Sequence, residues 1–459
     1  MRLPPYPKYR PSGVEWLGDI PEHWAPIRLK FVTDTVTSGV WGDDPNTENE
    51  GVPVATTANI TRQGDLDVEG MSCRVLSSEE QRKGRCAPGD TIVVKSSGSA
   101  TNVISGKAGY VEAKHGEVYF GNFTMRVRPR DQEANARFTW YFLISEVVQS
   151  QVRLMVSTTT YPNLQVPEYL SFLYPKAPLL EQGVIADFLD RETAKIDKLL
   201  AKKRTLIERL KEKRTTLISH TITCGLPPVA ARAVGLNPHP KLKPSGIDWL
   251  GDVPERWETI ALRRRASRLQ TGTTPPTAEE RYYEDGTIPW YGPGSFDDQI
   301  VLTKPVKMLH ESAVRDGTAR LFASGATLVV TIGATLGKVS SLGEASSCNQ
   351  QITAIEFDPR RVHGRFATYQ IKRLEVTLRA IAPSATLPIL DQGEIGDVIL
   401  ALPEVKEQQF IADFLEHEMA KIDSMVAKVN VAIERLQEYR TALITAAVTG
   451  KIDVRGTVE

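Results

Sequence analysis

Apolar residues recur at alternating steps of four and three along two separate stretches of this chain. Counting from Ile185 gives Ile185, Leu189, Glu192, Ile196, Leu199, Lys203, Leu206, Leu210, Lys213 and Leu217. Counting from Ile411 gives Ile411, Leu415, Glu418, Ile422, Met425, Val429, Ala432, Leu436, Tyr439 and Leu443. A heptad seam held over more than four heptads, with no Pro or Gly inside it, predicts a long helix that needs a partner helix. At 1.5 Å rise per residue, the segment from Ile185 to Leu217 is a rod of roughly 50 Å. The two stretches are also copies of each other. Glu181-Gln182 and Ile185-Ala186-Asp187-Phe188-Leu189 return as Glu407-Gln408 and Ile411-Ala412-Asp413-Phe414-Leu415, and Ala194-Lys195-Ile196-Asp197 and Ile207-Glu208-Arg209-Leu210 also return 226 residues later, without a gap. The nearest candidate partner for each rod is the other copy.

Ahead of each rod the pattern becomes that of strands. Thr91-Ile92-Val93-Val94 follows the turn Pro88-Gly89-Asp90, Tyr119 to Val127 reads as another strand, and Thr327-Leu328-Val329-Val330 follows Ser324-Gly325. Short helical segments interrupt both bodies, at Ala136 to Leu154 and Arg365 to Ile381. A second repeat opens each body. Pro11-Ser12-Gly13 to Trp16-Leu17-Gly18-Asp19-Ile20-Pro21 and Trp24 return 233 residues later as Pro244-Ser245-Gly246 to Trp249-Leu250-Gly251-Asp252-Val253-Pro254 and Trp257. That offset exceeds the rods' by seven residues, so the second body is the shorter by seven. The period is far too long for a solenoid. The chain reads as a tandem duplication, of α+β class: a first body at 1–178, a first rod at 179–225, a Pro- and Ala-rich linker at 226–243, a second body at 244–403, and a second rod with its tail at 404–459.

Composition narrows the function classes. Fifty-six Lys and Arg balance 56 Asp and Glu, so any nucleic-acid binding must use local patches and not a global field. Cys73, Cys86, Cys224 and Cys348 lack metal-ligand spacing and point to free thiols in a reducing compartment. The start lacks a signal-like apolar run and no stretch is apolar enough to span a bilayer, so a cytoplasmic protein without a membrane partner is expected.

Catalytic motifs fail when tested against their chemistry. Gly333-Ala334-Thr335-Leu336-Gly337-Lys338 has three residues between its glycines where a phosphate loop has four, and Val339 stands where a Ser or Thr should hold Mg²⁺. Leu3-Pro4-Pro5-Tyr6 lacks the Asn or Asp that holds a target amine in an amino-methyltransferase. Asp90 with Glu112 and Lys114 has loose nuclease-like spacing, but Asp90 lies in a turn, where a carboxylate is ordinary. No catalytic and no metal residues are therefore assigned.

A duplicated reader remains. In the first body Lys95, Ser96, Ser97, Ser99, Thr101 and Asn102, with Thr159 in the exit turn, offer donors and acceptors to base edges and phosphates. In the second, Thr331, Thr335, Lys338, Asn349, Gln350 and Gln351, with Thr386, do the same. Two unlike heads related by a pseudo-two-fold would contact two unlike half-sites of double-stranded DNA at a fixed separation. The competing reading is a protein–protein scaffold with two binding domains on a rod.

The paired Trp-Leu-Gly-Asp segments (16–19 and 249–252), the doubled Glu-Gln helix starts and the closing stretch Tyr439 to Ile452 resemble the specificity subunit of type I restriction-modification systems, over essentially the whole chain. The first rod departs from that ending, with Ser219 to Gly225 where the second has Thr445 to Lys451. The resemblance implies two target-recognition domains and an antiparallel coiled coil that sets the gap between half-sites. It also implies docking of two modification subunits and of restriction subunits. S-adenosylmethionine, ATP and Mg²⁺ would then sit on those partners, with no cofactor in this chain.

Overall fold

The computed structural model describes residues 3–46, 51–61, 63–96, 103–157, 163–239, 241–247, 250–297, 299–381 and 388–457. It divides into two compact units, residues 1–204 with 430–459 and residues 205–429. The long helices run over Leu179–Cys224 and Val405–Val448. Each unit therefore contains one body and half of each long helix.

The first body is built on an antiparallel sheet in the order Thr33–Val36, Thr124–Pro129, Thr91–Val94, Ala108–Tyr110. All four residues of Thr91–Val94 are buried, as a continuous β-branched run in a central strand should be. A smaller sheet orders Ser72–Arg74, Val52–Ala55 and Tyr119–Phe120, the last pair parallel. Two ribbons complete it: Tyr9–Pro11 with Asp19–Pro21, and Ala25–Arg28 with Leu173–Lys176. The second body repeats this plan. Its main sheet orders Ala266–Thr271, Ile352–Phe357, Thr327–Val330, Val339–Leu342 and an added edge strand, Val301–Leu302. Its smaller sheet orders Lys307–Leu309, Ile288–Tyr291 and Ser347–Cys348. Its ribbons pair Leu242–Pro244 with Asp252–Pro254 and Glu258–Ala261 with Ile399–Leu402.

Three sequence expectations change. Tyr119 to Val127 is two strands, because the chain crosses from the small sheet to the large one at Gly121–Phe123. The helical stretch from Ala136 breaks at Ser145, whose extended backbone and hydroxyl bond to Phe142 O (2.6 Å) end Ala136–Ile144 before Glu146–Ser157 begins. The stretch from Arg365 breaks likewise, into Gly364–Lys372 and Glu375–Ile381. Within the linker, Pro228–Ala233 is a short helix with Pro in its first turn, and Leu226 and Ala231 are buried in the second unit's core.

The recurring Glu-Gln pair plugs each helix into its body. Gln182 is fully buried; its Oε1 accepts from Asn135 N (2.8 Å) and Tyr174 OH (3.0 Å), and its Nε2 donates to Ala177 O (2.8 Å). Gln408 makes the matching set, accepting from His363 N (2.8 Å) and donating to Arg361 O (3.1 Å) and Pro403 O (2.8 Å). Glu181 accepts from Tyr6 OH (2.7 Å) and Trp24 Nε1 (3.1 Å) and pairs with His23 Nε2 at 2.8 Å, so it fastens the opening segment to the helix. Burial, then the Glu181 carboxylate, raises the Tyr6 pKa and keeps its hydroxyl a donor. Glu407 pairs with His239 Nε2 at 2.6 Å. Further along each helix, Arg137 bonds Asp190 (2.7 Å) in the first unit, and Arg365 bonds Asp413 (3.4 Å) and Glu416 in the second.

The helix halves pair antiparallel. In the first unit Arg440 Nε lies 3.1 Å from Asp197 Oδ1; in the second, Arg214 Nη1 lies 3.0 Å from Asp423 Oδ1. Asp197 and Asp423, and Arg214 and Arg440, are repeat equivalents, so one contact is made twice. Such partly exposed pairs contribute only about 0.2–1 kcal/mol each and act mainly to set alignment.

The seam differs in phase from the simple count. Ile185, Leu189, Ile196, Leu210, Ile411, Leu415, Ile422 and Leu443 are buried, and Leu217, Val429 and Leu436 are half-buried. Leu199, Leu206 and Met425, by contrast, are 47%, 44% and 40% exposed. The step after Leu189 is four, to buried Thr193, and every alternate position then falls one residue later: Leu200 and Ile207, and in the second copy Met419, Val426 and Ile433. The cause is chemical. Thr193 can enter because its hydroxyl donates to Leu189 O (2.7 Å), whereas the neighbouring Glu192 would carry an ionised carboxylate inside.

Two outcomes test this packing. Gln182→Leu strands the Asn135 N–H and the Ala177 carbonyl, leaving the Tyr174 hydroxyl only Thr139, and should cost on the order of 3 kcal/mol in urea unfolding of the full chain. Leu200→Asp should destabilise by about 3 kcal/mol or more while Leu199→Asp stays within roughly 1 kcal/mol; equal losses would restore the unshifted seam.

Candidate nucleic-acid interface

The central strand of each body delivers its chain to one place. Thr91–Val94 runs out into Lys95 and Ser96, where the segment returning from the exit turn pairs with it: Ser96 bridges Asn163, and Leu164 N donates to Lys95 O at 2.7 Å. In the second body Ile332 bridges Ile389, and Leu390 N donates to Thr331 O at 2.9 Å. In both bodies, therefore, the described residues that leave the central strand lie beside those that follow the exit turn. Lys95 donates to Thr37 O (2.5 Å), and burial, with Lys83 nearby, lowers its pKa. Ser97, Ser99, Thr101, Asn102, Thr159 and Thr386 lie outside the described residues.

Two of the second body's candidates are committed inside the protein. Thr331 is 3% exposed, and its amide (2.8 Å) and hydroxyl (3.1 Å) both donate to Gln351 O. Asn349 is buried; its Oδ1 accepts from Gln351 N (2.9 Å) and its Nδ2 donates to Gln351 Oε1 (3.2 Å), an Asx turn that shapes the loop. Both are polar because the backbone there needs partners, which corrects their assignment as readers. Thr335 and Gln351 are half-buried and Gln350 is exposed, its side-chain oxygen accepting from the Thr274 hydroxyl. Lys338, half-buried, is tethered to Phe296 O at 3.1 Å.

The phosphate-loop lookalike is a tight turn. Gly333 and Gly337 have φ of 101° and 87°, and the amides of Leu336, Gly337 and Lys338 donate to Gly333, Val330 and Thr335 carbonyls, so none faces an anion. Asp90 is likewise occupied. It is 1% exposed, held bidentately by Arg128 at 2.6 and 2.7 Å, and accepts from Ala87 N at 2.7 Å. Glu112 pairs instead with Lys114 at 3.0 Å. That geometry explains Asp90 as a turn carboxylate stapling the strand to its neighbour. Among the described residues no group of three or more His, Cys, Asp or Glu is placed to hold a metal ion, and no helix is long and apolar enough to cross a membrane.

The count of polar loop residues missed an exposed aromatic pair. Trp41 and Phe123 meet edge to face with ring centroids 6.2 Å apart, and the Arg74 guanidinium, itself paired with Asp44, lies 5.6 Å from the Trp41 ring. The available signal was Trp41 standing beside Gly42, one residue beyond Gly39-Val40.

Comparison with known proteins agrees with this architecture. The family described as the type I restriction modification DNA specificity domain matches residues 21–209 and 254–435. The putative type I restriction enzyme MjaX specificity subunit of Methanocaldococcus jannaschii is 19% identical over 448 residues, covering 96% of each chain. The StySPI specificity subunit of Salmonella potsdam is 20% identical over 457 residues, 96% of this chain and 92% of its own. The HsdS subunit from Thermoanaerobacter tengcongensis shares the fold, with a TM-score of 0.53 and 16% identity over 94% of this chain and 98% of that one. A chain solved in a study of complex assembly and conformational transition of the type I R-M system superposes with a TM-score of 0.65, at 16% identity over 94% of this chain and 98% of its own. With both bodies and most of both helices matched, the chain belongs to the type I restriction-modification DNA specificity family.

Proposed function

We propose that this chain reads a bipartite, asymmetric DNA target for a type I restriction-modification complex. The observation that carries the reading is one strand framework built twice, joined by the same helix pair, with unlike side chains where the central strands emerge. Identical scaffolds with unlike tips are what two unlike half-sites require. The described loop residues Lys95, Ser96, Thr335, Lys338, Gln350 and Gln351 supply donors and acceptors, and the same role is assigned from sequence to Ser97, Ser99, Thr101, Asn102, Thr159 and Thr386. Lys contacts phosphate or guanine and Gln pairs with adenine edges. The long helices act as the spacer that sets the gap, and as the docking ground for two modification subunits and for restriction subunits. Chemistry belongs to those partners: S-adenosylmethionine and adenine methylation on the modification subunits, ATP and Mg²⁺ on the restriction subunits. This chain contributes selection without catalysis. A scaffold that does not touch DNA would show no duplex affinity, whereas a reader's affinity falls steeply with salt.

Exchanging residues 25–178 for the corresponding body of another family member should change one half of the methylated sequence and leave the other half as it was. Removing seven residues from each helix, 204–210 and 430–436, shortens each by about 10 Å. The gap should then contract by roughly three base pairs at 3.4 Å each, with both half-sites unaltered; an unchanged gap would refute the spacer role. Both are scored by sequencing N6-methyladenine in cells that carry the variant with its modification subunits.

A further inference from the structure

Two glycines align the bodies residue by residue. A Cβ on Gly39 would stand 2.1 Å from Phe120 O, and one on Gly272 would stand 2.2 Å from Cys348 O, so only glycine lets these segments touch. The next residue then donates identically in each: Val40 N to Phe120 O and Thr273 N to Cys348 O, both at 2.9 Å. One position further stand Trp41 in the first body and Thr274 in the second. Opposite them, two and three residues past the accepting carbonyl, stand Asn122 and Phe123 in the first body and Gln350 and Gln351 in the second; Trp41 meets Phe123, and Thr274 meets Gln350.

This shared station has opposite chemistry in the two bodies. In the first, Trp41 is 58% and Phe123 52% exposed. They rim a cleft of about 110 Å³ that Thr56, Asn122 and Arg74 also line. In the second, the Thr274 hydroxyl donates to Gln350 Oε1. Single exposed apolar side chains need no explanation. Two rings in contact over a cleft edged by a guanidinium, an amide and a hydroxyl have the composition of a base-stacking platform. A ligand that meets rings in one copy and an amide in the other must present both a π-face and a hydrogen-bonding edge. A nucleobase does so.

Resting on the DNA-reading function proposed above, we infer that this station reads one base in each half-site, by different faces. Trp41 and Phe123 take the face of a base displaced from the duplex stack, while Thr274 and Gln350 bond the edge of a base that stays paired. The first mode spends contact on unstacking and favours weakly stacked steps. The second favours adenine, whose N6 and N7 match a side-chain amide.

The test uses the full chain assembled with its modification subunits and a duplex selected by it from a random pool, with 2-aminopurine walked through each half-site. Between the wild-type and Trp41→Ala complexes, 2-aminopurine emission should differ at one position of the first half-site and at none of the second, while adenines displaced for methylation should respond alike in both. Trp41→Ala should also weaken binding roughly 10-fold, the worth of one base on one aromatic ring, and Trp41→Phe should retain most of the wild-type emission and affinity. Gln350→Ala should relax sequence choice in the second half-site alone. Unchanged affinity, selectivity and fluorescence in Trp41→Ala and Phe123→Ala would overturn the inference while leaving DNA reading intact. Loss of modification-subunit capture with duplex affinity preserved would overturn it in favour of a protein-docking surface. Failure of the wild-type complex to select any duplex would instead sink the DNA-reading function itself.

Discussion

The buried amide at the head of each long helix is the constraint from which the rest of the structure follows. Gln182 and Gln408 each satisfy donors and acceptors on the body beside them, and neither could be replaced by an apolar residue without leaving buried backbone groups unpaired. This fixes the rotation of each helix against its body. That rotation decides which residues face the partner helix, and it places Thr193 and Leu200 in the seam where a bare heptad count would put Glu192 and Leu199. With the phase set, Asp197 meets Arg440 and Arg214 meets Asp423, an arrangement that an antiparallel pair of copies produces automatically. The neighbouring Glu181 and Glu407 fasten the polypeptide that opens each body to the same helix start.

The duplication, the two long helices and the central strands were legible in the sequence because each rests on short-range pattern: an ungapped offset, a period near 3.5, a β-branched run after a turn. The seam phase was not. It depends on whether a threonine or an adjacent glutamate turns inward, and that choice is made by the body against which the helix first lies. Pro and Ala carry little periodicity, so nothing in the linker's pattern marks Leu226 and Ala231 as core; only tertiary contact defines their burial.

Of the candidate interface, the strands that carry it were legible and the roles of its side chains were not. The residues that leave Val94 and Val330 lie beside those that follow the exit turns, Ser96 with Asn163 and Ile332 with Ile389, a long-range pairing beyond any local pattern. Residue type could not show which side chains face outward. Thr331 and Asn349 are polar for the sake of the loop's own backbone, while Trp41 and Phe123, which no count of polar residues would select, stand in solvent. Their meeting depends on Gly39 reaching a carbonyl some eighty residues away, a contact that no local pattern announces.

Duplicated frameworks with divergent tips let one chain discriminate two unlike sequences while its shared elements change little, since the packing that holds Gln182 or Gln408 is indifferent to the loops. The most direct measurement is a genome-wide map of N6-methyladenine in cells with and without this chain, its modification subunits present in both. The account predicts a class of methylated sites that appears only with the chain, each made of two unlike short half-sites separated by a constant number of unspecified bases. A palindromic or uninterrupted site, or a map that the chain leaves unaltered, would contradict it.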